Sequence, residues 1–168
     1  MLIAQDVIAQ IKAKRYEAAH FTWVELLDKD GPVLEPALEF GRDASIRELF
    51  LGKKIANCEC CALGAMFMSC TLYNNKTSAE QFDDQITFGS FDWLVEERGK
   101  LTNGLNTFFS PEQLQLVEAI FERDSGAFQA PASKQAAVDT WRELYPEPKD
   151  CMIAIMENII KNKGTFKP

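Results

Sequence analysis

The sequence predicts a mainly α-helical protein, an irregular single-domain bundle of about six helices with room for a small β-hairpin. Three observations carry that expectation. Apolar residues recur at three- and four-residue spacing in several stretches, Cys60 to Tyr73 runs without a single charge, and Ser110-Pro111-Glu112-Gln113 has the composition of a helix start. The chain of 168 residues fits one domain, read here as residues 1–168, and is long enough to bury a core without disulfides or a metal.

Ile3, Val7, Ile8 and Ile11, continuing to Tyr16, fall on one helical face, so the first ~18 residues read as one amphipathic helix. Phe21–Leu27 is apolar and aromatic and fits a short strand or a second helix, before Asp28-Lys29-Asp30-Gly31-Pro32 turns the chain. Ser45 and Glu48 have capping-box spacing ahead of Leu49, Phe50 and Leu51, with Gly52 closing the helix. Cys60–Tyr73 (CCALGAMFMSCTLY) is apolar nearly all round, the mark of a central helix, with Asn74 and Asn75 as terminators. Thr77 and Glu80 give another capping box, Gln85–Gly89 a weak strand, and Phe91–Glu97 a further helical turn.

At Ser110 the cap, the proline at the first helical position and Gln113 reaching back all agree, with Phe109 and Leu114 as a hydrophobic staple. Leu114, Val117 and Phe121 form the buried stripe and Gly126 ends that helix. The next helix turns Val138, Trp141, Leu144 and Tyr145 inward until Pro146 and Pro148 stop it. Asp150 caps the last one, built on Met152, Ile155, Met156 and Ile159, with Lys161 and Lys163 at its negative end and Gly164 closing it.

Eighteen bases against 25 acids give a net charge of −7, which argues against a generic grip on nucleic acid. Glu59–Asp124 holds 11 acids and 4 bases and so carries the whole imbalance, while Lys149–Pro168 is +2. Such polarity steers a basic partner toward one face. No apolar run is long enough to span a bilayer, and the first residues lack the features of a signal peptide, so a soluble cytoplasmic protein is expected.

Five cysteines, an odd number without an export signal, point to reduced thiols. Cys58-x-Cys60-Cys61 lacks a second close pair, so no metal site and no cofactor are expected. Cys60 or Cys61 at the start of a buried helix is a candidate nucleophile, its thiolate favoured by the helix dipole, with His20 as the one imidazole available as base. The pairs Asp83-Asp84, Asp92 with Glu96 and Glu118 with Glu122 lack a histidine co-ligand and read as solvated. Phosphate loops and hydrolase elbows are absent. Aromatic residues crowd the segment from Phe82 to Phe109. Those exposed beside Asp83, Asp84, Phe91, Asp92, Trp93, Glu96 and Glu97 would give an apolar anchor with an acidic rim, the make-up of a protein-binding patch.

Cys61-Ala62-Leu63-Gly64-Ala65, followed by Met66-Phe67-Met68-Ser69, resembles the CALGA motif of small uncharacterised proteins from bacteria and their phages. The resemblance implies an accessory protein acting on a host protein and transfers no catalytic residue. The sequence therefore leads to a non-enzymatic protein that binds a basic protein through an acidic aromatic surface. The alternative is a cysteine-dependent enzyme built on Cys60, Cys61 and His20.

Overall fold

The structure is a computed structural model that describes residues 1–74, 76–87, 105, 107–123 and 130–168. Among these residues it has eight α-helices and a three-stranded sheet, more than the six helices and hairpin expected. In chain order they are α1 (Leu2–Lys12), β1 (Tyr16–Ala18), β2 (Val24–Leu27), α2 (Pro36–Phe40), α3 (Ile46–Leu51), β3 (Asn57–Cys60), α4 (Ala62–Asn74) and α5 (Ala79–Thr87). They continue with α6 (Pro111–Phe121), α7 (Gln135–Leu144) and α8 (Pro148–Lys161).

Helix α4 is the centre. Every side chain from Cys61 to Leu72 is buried, and α1, α3, α6 and the sheet pack around it. A helix without a polar face has no solvent side, so it is enclosed on all sides. Buried apolar side chains of the described residues form one continuous cluster.

The first helix is shorter than its apolar spacing predicts. It stops at Lys12 because Lys14 takes a left-handed conformation (φ +57°), Arg15 N–H donates to Gln10 C=O and Lys14 N–H to Ile11 C=O. That is a Schellman end, and it frees Tyr16 to enter a strand. The same closure ends α3 at Lys53 and α8 at Lys163. So Gly52 and Gly164 flank those turns, and a lysine makes each of them. Lysine at a helix C-terminus also faces the negative end of the dipole.

In the sheet, β3 lies between β1, to which it is parallel, and β2, to which it is antiparallel. This needs Tyr16–Ala18 to pair with residues some 40 positions on, which no local pattern announces. Gln85–Thr87 belong to α5 rather than to a strand, and that helix opens with Ser78 and Gln81, one residue later than the expected Thr77 and Glu80. The Ser110–Gln113 capping box forms as expected. Helix α6 ends at Phe121, so the expected stop at Gly126, like Asn75 and Phe91–Glu97, lies outside the described residues. Glu147 rather than Asp150 precedes α8, because Pro148 suits its first turn, and Leu144 faces solvent.

Candidate functional site

The CALGA segment forms a joint between sheet and helix. Cys60 ends β3, and Cys61 occupies the position before α4, where its Sγ accepts the Gly64 N–H at 3.4 Å and its carbonyl accepts the Ala65 N–H. The Cys61 N–H donates to Thr22 C=O at 2.5 Å, and the Ala19 N–H donates to Cys60 C=O. The chain from Ala19 to Thr22 is thus tied alongside Cys60–Cys61. Gly64 is obligatory there, since a Cβ would stand 1.8 Å from the Trp23 carbonyl oxygen.

These ties bring His20, distant in sequence, to the same end of α4. Its ring packs 5.0 Å from that of Phe121, and its Nδ1 lies 4.0 Å from Glu122 Oε2. Glu118 on α6 and Glu122, which follows its last residue, are buried, with 6% and 3% exposure, and their charges reach Cys61. The expectation that this pair is solvated is overturned. Helix α6 packs on both α4 and α7, so two of its faces are covered and the acids share the interior with Val117 and Phe121. Glu122 Oε2 accepts the N–H of Phe21, whose own φ is +61°. Glu118 Oε2 has no hydrogen-bond partner among the described residues.

Burial sets the protonation of this cluster. Glu118 is pushed up to about 8, first by burial and then by the neighbouring Glu122. Glu122 is also raised by burial, partly offset by the Phe21 N–H. Burial lowers the His20 imidazole, and Arg123 adds to that effect. Burial thus disfavours the charged form of both partners of the His20–Glu122 contact, which at 4.0 Å is long for an ion pair. Cys61 is pushed well above the usual thiol range by burial and by Glu122 and Glu118, an effect opposed by the Gly64 N–H. Cys60 is raised by its thiol hydrogen bond with Cys58 and by burial, Cys70 to about 12 and Cys151 to about 11 by burial. Helix-dipole activation is thus outweighed by desolvation at Cys61.

No family model matches the chain, and neither a curated protein nor a solved structure matches it. Its chemistry therefore rests on its own geometry. No group of three or more metal-binding side chains gathers among the described residues, and none of their helices is long and apolar enough to cross a membrane.

Of the acidic aromatic surface, Asp84 is exposed on α5, while Phe82 on the same helix is fully buried. Asp83 is half-buried, and its Oδ2 accepts the Ala37 N–H at 2.8 Å, which caps α2. Phe91, Asp92, Trp93, Glu96 and Glu97 lie outside the described residues. The pairing of strands adds an acidic feature that sequence reasoning missed. Glu17, Glu59 and Glu25 stand side by side across β1, β3 and β2, with Glu17 and Glu25 exposed. Strand alternation hides Tyr16, Cys58 and Leu26 on the other face. The only signal in the sequence was one glutamate between apolar neighbours in each segment.

Proposed function

We propose that the protein acts by binding a basic protein partner, as a cytoplasmic accessory protein of bacterial or phage origin, and does no chemistry of its own. The observation that carries this reading is the glutamate row. Like charges directly opposite one another in a sheet destabilise it, and no basic side chain occupies the row. A feature that costs stability and faces solvent gains its value from a partner that neutralises it. Asp84 on α5 belongs to the acidic aromatic stretch, which from Glu80 to Glu97 has six acids and no base. Glu80 is held by Arg42.

The test is affinity capture from bacterial lysate with the wild-type chain and with the triple variant E17Q/E59Q/E25Q. A basic protein retained by the former at low salt, lost at high salt and absent from the latter is the expected result. The variant should melt no lower than wild type, since repulsion has been removed. Identical capture by both chains would sink the proposal.

A second reading, a thiol enzyme, draws support from the Ala19–Thr22 segment tied alongside Cys60–Cys61, which carries His20 to that end of α4, and from the Glu122 charge that reaches Cys61. The buried, raised thiol weighs against it. Labelling decides between the two: rapid alkylation of Cys61 near neutral pH favours the enzyme, and protection of Cys61 until the protein unfolds favours the binding protein.

A further inference from the structure

A second feature lies apart from the CALGA joint. A cleft of about 810 Å³ opens between the start of α1, the last turn of α4, the turn before α6 and the closure of α8. Its size falls in the range of small-molecule sites, roughly 300–1,000 Å³. Leu2, Ile3, Tyr73, Phe108 and Phe109 form apolar walls. Leu2, Tyr73 and Phe108 are each more than half exposed, an unusual gathering of large apolar side chains around one concavity.

Lys163 is the one charged side chain among the described residues that line the cleft. Its backbone is fixed by the Schellman closure of α8, where its N–H donates to Ile160 C=O and the Gly164 N–H to Ile159 C=O. The ammonium thus starts from a rigid point at the rim. Gln113 also lines the cleft, and its carbonyl is engaged by the Ser110 N–H, so what it can offer a ligand is its amide N–H₂ donor. Among the described residues no carboxylate lines the cleft to compete for either group.

Apolar walls, one side-chain cation and an amide donor are complementary to a ligand with a long apolar tail and a single negative head. We propose that the cleft binds a free fatty-acid-class carboxylate, its tail against Leu2, Tyr73 and Phe108 and its head at Lys163. This proposal stands independently of the protein-binding reading.

The test uses dodecanoate, 1-dodecanol and dodecyltrimethylammonium, each below its micellar concentration, titrated calorimetrically into the full chain. Dodecanoate is expected to bind in the micromolar range, with the alcohol and the ammonium compound weaker by about tenfold or more. K163M should bring dodecanoate down to the affinity of the alcohol without changing the melting temperature, and K163R should restore it. Cys70 lines the cleft, so bound dodecanoate should slow its modification by N-ethylmaleimide, read by peptide mass spectrometry. Equal affinity for carboxylate and alcohol, no effect of K163M, saturation without protection of Cys70, or no binding would each overturn the proposal. So would a concentration-dependent dimer dissociated by F108E, which would assign the cleft to a second copy of the chain.

Discussion

At the scale of single residues, the positions that matter most are those where side-chain volume or conformation leaves no freedom. Gly64 is the strictest. The Trp23 carbonyl sits where its Cβ would be, so alanine forces strand and helix apart at the joint on which the core is built. Gly64→Ala is expected to cost roughly 3 kcal/mol or more in urea unfolding followed by circular dichroism. A loss below about 1 kcal/mol would show that the joint yields easily. The lysines at 14, 53 and 163 illustrate a different constraint. Each adopts a conformation usually left to glycine, and the two hydrogen bonds of each helix closure offset that strain.

At the scale of elements, arginines do the work of helix C-caps. Arg142 on α7 donates Nε and a terminal nitrogen to Ala119 C=O and a terminal nitrogen to Glu122 C=O, closing the end of α6. Arg123, just beyond α6, returns the favour by donating to Arg142 C=O and Tyr145 C=O at the end of α7. Arg15 does the same for α3 through Phe50 C=O and lies over the Phe50 ring. A planar fork reaches two carbonyls at once, whereas a lysine reaches them as a point charge. Arg142→Lys should therefore lower stability by about 2 kcal/mol although the charge is kept, as measured by thermal unfolding. An unchanged melting temperature would mean that water satisfies those carbonyls equally well.

For the molecule as a whole, the buried Glu118–Glu122 pair makes stability depend on pH in an unusual direction. In the unfolded chain Glu118 loses its proton near its ordinary value of 4.5, and in the folded chain only near about 8. Between those limits the native state holds a proton that the unfolded state has released, so stability falls as pH rises and levels off above about 8. Glu122 acts in the same sense. Glu118→Gln should flatten this dependence and exceed wild type at pH 9 by roughly 3–5 kcal/mol. A variant whose melting temperature tracks wild type from pH 5 to 9 would place Glu118 in contact with solvent.

The sequence by itself determined the elements whose cause is local. The Ser110–Gln113 box, the uncharged run of α4 and the 3–4 stripe of α8 are each set by residues within a turn or two of one another, and each forms, although Cys60, expected to open α4, ends β3 instead and the helix starts at Ala62. Periodicity failed where backbone conformation intervened, as at Lys14, where an apolar stripe continues to Tyr16 although the helix does not. The candidate site was only half legible. Cys61 announced itself by its place before an apolar run, whereas Glu118 and Glu122, whose charges reach it, and His20, which meets Glu122, come from other parts of the chain. Only tertiary structure decided that two glutamates with helical spacing are buried, that three others line up across the sheet, and that the segment holding the single histidine is tied alongside Cys60–Cys61. The physical reason is the same in each case: burial and strand register are set by contacts between segments far apart in sequence, and those contacts, not residue type, fix whether a carboxyl is charged.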